Sequence, residues 1–281
     1  MVIYLLYLCF CIITYGLLHK YYKRSSINKI FVIIAVIGLI LIFGLRNISV
    51  GTDTIQYYNR YNMARHSSGL NIQQDEYGFN YINYLFNQME CSWQIYLFTI
   101  NAIMLIILGL FIYKYSPYPL YSVIIFVCIG LFTMYMSGLR QSLAISLCIM
   151  SLCIIQSKLK FVIRFVLFAA LVYAATTIHN SAFIFYPMAL ISHLRLNKKQ
   201  VIILLVFSVL ILTVAAPLSR IIEGFLPERY EDYTIIGANG TEYRQNPLVV
   251  IVLVVQTIFC IVFNNEYEDG TNRFTKETST L

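Results

Sequence analysis

The chain has 281 residues, of which 59% are hydrophobic and only 12% are charged, and its formal net charge is +7. Soluble domains usually carry roughly 25% charged residues, so this composition excludes an ordinary soluble enzyme or a nucleic-acid-binding module. The apolar residues form long continuous runs, as helices that cross a bilayer do, and they do not alternate like the strands of a β-barrel. The sequence therefore predicts an all-α, polytopic integral membrane protein.

Nine apolar runs in chain order predict about nine transmembrane helices. The predicted spans are residues 2–18, 29–45, 95–113, 119–136, 139–156, 161–178, 181–192, 200–216 and 248–263. The seventh is short and contains Pro187, so we expect it to be tilted, re-entrant or paired with the end of the sixth. A single transmembrane domain, residues 1–263, is expected to precede a polar, disordered tail, residues 264–281.

Charged residues divide between the two sides of this predicted bundle. All nine lysines lie in or beside one set of loops and the tail, whereas the nine acidic residues that precede the tail lie in the other set. Cytoplasmic loops are rich in basic residues, so the lysine side is predicted to be cytoplasmic, with the N-terminus outside and the tail inside. Two long loops, residues 46–93 and 217–246, then lie outside the cell.

Two arginines mark the outer ends of predicted spans. Arg46 ends the second span and precedes a compact polar turn that contains Asp53, which we interpret as a base, a helix cap or a partner of Arg46. Arg140, followed by Gln141, lies where almost no loop separates the fourth and fifth spans. An arginine at the edge of a membrane bundle either snorkels to the surface or faces a cavity and a partner.

Further polar residues on the same predicted side extend the candidate site. His179 begins a short polar interruption between the sixth and seventh spans, and Glu76 is a second candidate base in the first outer loop. Tyr57 belongs to a group of loop tyrosines that suits either an interfacial aromatic belt or stacking against sugar rings. Arg229 and Arg244 in the second outer loop are weaker candidates for binding an anion.

The sequence predicts neither a metal nor a cofactor. It contains no D-x-D, phosphate-loop or H-E-x-x-H motif and no C-x-x-C pair among its seven cysteines. No acidic residue falls in the middle of a predicted span, so a proton-coupled transporter would lack its usual relay.

Four segments together resemble the EpsG-type family of Wzy-like polymerases, which make bacterial capsule, exopolysaccharide or O-antigen. The likeness covers roughly residues 30–190, and its most specific elements are R-x(3)-V-G-x-D at 46–53 and S-G-x-R-Q at 137–141. The segments are Arg46 with Val50–Thr54 and Tyr57, Glu76–Phe79, Ser137–Gln141, and His179–Ala182.

The resemblance implies a membrane glycosyltransferase that moves a growing glycan from a lipid-pyrophosphate carrier onto a lipid-linked repeat unit. It implies the bacterial cell membrane as location, polyprenyl-pyrophosphate-linked oligosaccharides and the bilayer as partners, and association with a flippase and a chain-length regulator. Under this hypothesis Arg46 and Arg140 bind pyrophosphate, because an arginine fork suits phosphate oxygens. Asp53, Glu76 or His179 accepts the proton of the acceptor hydroxyl. The alternative is a transporter of lipid-linked oligosaccharides.

Overall fold

The computed structural model of the protein describes residues 2–21, 24–66, 76–128, 130–191, 203 and 206. These residues form helices and no strand, which confirms the all-α class for them. The predicted spans at 200–216 and 248–263, the second outer loop with Arg229 and Arg244, and the polar tail lie outside the described residues.

The described residues contain ten α-helices and one 3₁₀ helix. They are α1 (Val2–Tyr21), α2 (Arg24–Gly44), α3 (Thr54–His66), α4 (Tyr77–Gln88), α5 (Trp93–Tyr115), α6 (Pro119–Cys128), α7 (Leu131–Ser137), α8 (Leu139–Ile155), α9 (Phe161–Ile178), a 3₁₀ helix (Asn180–Phe185) and α10 (Met188–Ile191). The first half of the chain thus contains a pair of short helices, α3 and α4, where the sequence predicts a long outer loop.

Four of these helices, α1, α2, α5 and α9, are long and apolar enough to cross a membrane. A fifth span results if α6 and α7 count as one broken helix, and α8 is a shorter apolar helix. This confirms a multi-pass membrane protein, while the total of nine spans stays a prediction.

Two predicted spans differ in the structure from continuous helices. The fourth is divided into α6 and α7, which meet at a bend of 66°; Gly130 at the start of α7 has φ +84°, a backbone conformation that suits glycine. The seventh begins as the 3₁₀ helix and continues as the short α10 after Pro187, whose ring nitrogen has no hydrogen to extend a helical ladder.

Neighbouring long helices run antiparallel, so alternate helix ends meet at one end of the bundle. Gly109 of α5 lies against Val36 of α2, whereas Gln94 at the start of α5 donates to the Gly44 carbonyl at the end of α2. In the same way, the Tyr7 hydroxyl of α1 donates to the Ala35 carbonyl of α2 at 2.9 Å. The ends of α2, α7 and α9 and the beginnings of α5 and α8 therefore share one end of the molecule, which we call the site end.

The core is aromatic near this end. Phe132 of α7 is fully buried, and its ring meets Tyr4 of α1 at 4.6 Å and Phe43 of α2 at 4.7 Å between centroids, both edge to face. Such pairs contribute about 0.5–1.5 kcal/mol beyond the area they bury. The Phe132 contacts fix α7, and with it the turn into α8, against the first two helices.

Gly109 allows α2 and α5 to pack closely, and we expect Gly109→Ala to destabilise the protein. A methyl group there would overlap the Val36 side chain and lie 3.6 Å from Val32 Cγ1, and overpacking typically costs about 1–3 kcal/mol. Gly16→Ala is the matched control, because a methyl group at Gly16 meets no atom within 4 Å. Thermal unfolding in detergent should show a lower midpoint for Gly109→Ala alone; equal midpoints would contradict the close packing.

Candidate functional site

Three charged or ionisable side chains meet at the site end. One carboxylate oxygen of Glu76 (Oε2) accepts a hydrogen bond from Arg140 Nη1. The other oxygen (Oε1) lies 2.6 Å from His179 Nδ1. The Glu76 side chain is 13% exposed and those of Arg140 and His179 are each 28% exposed, so the cluster is sheltered but open to a ligand.

Glu76 reaches this position through an unusual backbone conformation. It precedes α4 with φ +62° and ψ +39°, in the left-handed region, which costs a non-glycine residue about 1–2 kcal/mol. Its carbonyl accepts from the Phe79 backbone N–H at 3.1 Å and so starts the helix. Strain of this kind persists where surrounding contacts determine the conformation, and it is frequent at functional sites.

Gly78 allows the beginning of α4 to lie directly on α9. A methyl group at Gly78 would stand 2.8 Å from Thr177 Cβ and 2.9 Å from the Thr177 carbonyl carbon. Next to it, the Tyr77 and Tyr173 hydroxyls form a hydrogen bond of 3.0 Å. This close approach brings Glu76 within reach of His179, which immediately follows α9.

His179 interrupts the helical structure as the sequence predicts. Its backbone is extended, with φ −149° and ψ +115°, between the end of α9 and the 3₁₀ helix. Its N–H donates to the Ala175 carbonyl at 2.9 Å, and its carbonyl accepts from Ala182 at 3.0 Å. The imidazole is thus held by its Nδ1 contact to Glu76, and within the described part of the chain no residue bonds to Nε2.

Arg140 keeps unused donors beside its carboxylate partner. It lies in the first turn of α8, where Gln141 beside it is exposed. Its Nε is buried and has no hydrogen-bond partner, and its guanidinium carbon lies 5.8 Å from the centre of the Tyr57 ring. Glu76 is the one described residue that accepts a hydrogen bond from it, so Arg140 retains donors for an anion.

Arg46 lies apart from this cluster. It is 6% exposed, and its Nη1 donates to the Phe43 carbonyl at 2.8 Å and to Asn101 Oδ1 at 3.4 Å. Its Nη2 donates to the Met136 carbonyl at 2.6 Å. Burial lowers the pKa of Arg46 to about 10, which leaves the side chain charged at neutral pH. Phe43 and Met136 lie in the last turns of α2 and α7, so a fixed positive charge meets the negative ends of two helix dipoles.

The remaining predicted site residues are placed as follows. Asp53 is half-buried at the start of α3, where its carbonyl accepts from the Gln56 and Tyr57 backbone N–H groups, both at 3.1 Å. Its carboxylate forms no hydrogen bond or ion pair with a described residue. Tyr57 is buried beneath Arg140. The roles assigned from sequence to Asp53, Tyr57 and Arg46 stay predictions.

Two residues support the site in roles that sequence reasoning does not assign to them. Asn101 is fully buried in α5 and orients Arg46, while its Nδ2 donates to the Leu97 carbonyl at 2.7 Å. An asparagine inside an apolar run is a recognisable signal, because a polar group in a membrane helix needs a partner. Gly78 belongs to the segment Glu76–Phe79 of the family resemblance, but the sequence does not indicate its steric role.

The described residues contain no group of three or more His, Cys, Asp or Glu side chains that could hold a metal ion. The arrangement instead pairs a hydrogen-bonded imidazole with a guanidinium that has donors to spare. It can accept a proton at His179 Nε2 and stabilise an anion at Arg140.

We expect Arg46→Ala to destabilise the protein strongly, because it leaves three buried oxygen acceptors without their donor. Leaving buried polar groups unsatisfied costs about 1–3 kcal/mol each, and Arg46→Lys should recover part of the loss. The control is Arg60→Ala, since Arg60 is exposed on α3. If thermal unfolding in detergent gives equal midpoints for Arg46→Ala and Arg60→Ala, Arg46 does not stabilise the helix ends.

Comparison with known proteins supplies the family. A search of curated proteins and a search of solved structures gave no match. The model of the EpsG family matches residues 29–279, which is most of the chain and extends beyond the residues 30–190 that carry the resemblance. Membership confirms that resemblance and indicates a membrane protein of polysaccharide biosynthesis: the chain belongs to the EpsG family.

Proposed function

We propose that this protein is a polysaccharide polymerase that transfers a growing glycan from a lipid-pyrophosphate carrier onto a lipid-linked repeat unit. The observation that supports this most directly is the division of the Glu76 carboxylate between His179 and Arg140 at the end of a membrane helix bundle. One partner suits the proton of an acceptor hydroxyl and the other suits the charge of the departing pyrophosphate.

His179 is the general base in this proposal. When its Nδ1–H donates to Glu76 Oε1, the lone pair of Nε2 is free to accept a proton, and the carboxylate stabilises the imidazolium that results. The sequence leaves Asp53, Glu76 and His179 as equal candidates. The geometry favours His179, because both oxygens of Glu76 are already bonded and Asp53 lies outside the cluster.

Arg140 stabilises the leaving group. The acceptor oxygen forms a bond to the anomeric carbon as the bond from that carbon to the pyrophosphate oxygen breaks, and the bonding electrons leave with the pyrophosphate. The acceptor proton passes to His179 Nε2. Pyrophosphate is already stable as an anion, so it needs positive charge and fixed donors more than a general acid. Arg140 Nη2, which donates to no described residue, is such a donor.

The distribution of charge supports a site on the extracytoplasmic face. In the described part of the chain, three acidic residues (Asp53, Glu76 and Glu90) lie in the segments that join the helices at the site end. Five lysines (Lys20, Lys29, Lys114, Lys158 and Lys160) lie towards the other end of the bundle. Since lysine-rich ends face the cytoplasm, the site end faces outward, where lipid-linked repeat units are joined in this proposal.

We expect His179→Ala and Glu76→Gln each to lower the rate of chain elongation about 100-fold or more, because a positioned base contributes roughly 10²–10⁴. The assay supplies lipid-linked repeat units to the protein in proteoliposomes and measures glycan length. Two substitutions serve as matched controls. His19→Ala changes an exposed histidine in the last turn of α1, away from the site end, and Glu90→Gln changes an exposed glutamate that has positive φ, as Glu76 does. Movement of the lipid-linked unit without lengthening would identify a transporter and end the polymerase proposal.

We expect Arg140→Lys to lower elongation about 100-fold, the usual effect of removing one donor that stabilises developing charge. Lysine keeps the positive charge but loses the planar fork. Arg60→Lys, an exposed substitution of the same type, should leave the rate unchanged. Retention of the full rate by Arg140→Lys would show that the guanidinium geometry is not used.

A further inference from the structure

Residues 46–57 contact the turn from α7 into α8, residues 136–140, at three points. Arg46 Nη2 donates to the Met136 carbonyl at 2.6 Å, and the Thr52 backbone N–H donates to Ser137 Oγ at 3.3 Å. The Tyr57 ring lies 5.8 Å from the guanidinium carbon of Arg140. The first segment, residues 46–57, therefore follows the turn from α7 into α8 up to the arginine of the candidate site.

Arg46 is in no position to offer its fork to phosphate. Both terminal nitrogens donate to oxygens of α2, α5 and α7, and the side chain is almost completely buried. A pyrophosphate could reach it only by displacing these acceptors, each of which would then be buried without a partner. Its contacts are those of a residue that fastens helix ends together.

The turn after Arg46 lies against the turn from α7 into α8. Gly51 has φ +97°, and a methyl group there would stand 3.4 Å from the Met136 carbonyl oxygen and 3.5 Å from Ser137 Oγ. The turn is closed by a hydrogen bond of 2.7 Å from the Thr54 hydroxyl to the Val50 carbonyl. These contacts begin α3 at a fixed distance from the turn into α8.

Tyr57 then occupies the space beneath Arg140. Its side chain is 9% exposed, and its ring packs against Phe79 of α4 edge to face at 5.7 Å. No hydrogen bond joins its hydroxyl to a described residue. A ring enclosed in this way is not free to stack on a sugar, whereas it can attract the guanidinium above it.

We propose that the first segment, residues 46–57, is a scaffold that positions Arg140, with Tyr57 as the residue that holds the guanidinium in place. The effect of this scaffold on the reaction rests on the proposed function, in which Arg140 binds the pyrophosphate. The contacts themselves do not depend on it. Arg46 and Tyr57 are then positioning residues that act through Arg140, and neither touches the lipid-linked substrate.

The kinetic test compares Tyr57→Leu, Tyr57→Phe and the control Tyr58→Leu in the elongation assay. Tyr58 is the adjacent tyrosine, and its ring packs on Trp93 at 5.5 Å. We expect Tyr57→Leu to raise KM for the lipid-pyrophosphate donor about 3- to 30-fold, the range of a cation–π contact. Tyr57→Phe should remain within about twofold of the wild type because it retains the ring. A raised KM for the acceptor instead, or an equal loss in Tyr57→Phe, would show a direct substrate contact and overturn the proposal.

A double-mutant cycle in thermal unfolding tests the contact without activity. If Tyr57 acts through Arg140, Tyr57→Leu should shift the unfolding midpoint less in an Arg140→Gln background than in the wild type. Tyr58→Leu should shift it equally in both. Additive shifts for Tyr57 and Arg140 would overturn the scaffold. An inactive wild type that retains the coupling would refute the polymerase alone.

Discussion

The candidate site depends on one carboxylate that is shared by two partners. Glu76 bonds to Arg140 through one oxygen and to His179 through the other. Arg140 lies in α8, and His179 immediately follows α9. A sheltered carboxylate is stable when it is paired and hydrogen-bonded, and both conditions are met here. The same contacts that offset its burial bring an imidazole and a guanidinium together.

The bilayer explains why this cluster lies at an end of the helices. Within lipid the backbone must bond to itself, and charge in the middle of a span is costly. Helix ends are the places where a membrane protein can arrange polar groups with backbone that departs from helical geometry. The left-handed backbone of Glu76 and the extended backbone of His179 are both found at such ends.

The sequence was sufficient for the class of protein and the family, because long apolar runs and short motifs are local signals. It named Glu76, Arg140 and His179 as candidates but did not separate them from Arg46 and Asp53, which lie outside the cluster. It also did not give the distances between these side chains. Glu76 and His179 are 103 positions apart, and their contact depends on the approach of Gly78 to Thr177, which no local pattern reveals. The sequence also does not predict the division of the fourth span into α6 and α7, because the residues on both sides of the bend are apolar. For Arg46, residue type alone could not separate a ligand of phosphate from a buried donor to helix carbonyls.

The break between α6 and α7 has a mechanical consequence for Arg140. Helix α7 is only seven residues long, and a single residue, Gly138, separates it from α8. A connection of one residue cannot absorb a movement of α7, so a tilt of α7 about Gly130 would also displace the Arg140 guanidinium. On one side of the midpoint of α7 the Phe132 ring packs on Phe43 of α2, and on the other side the Met136 carbonyl accepts from Arg46, which follows α2. The position of the Arg140 guanidinium therefore depends on the packing of α7 against α1 and α2 as well as on α8.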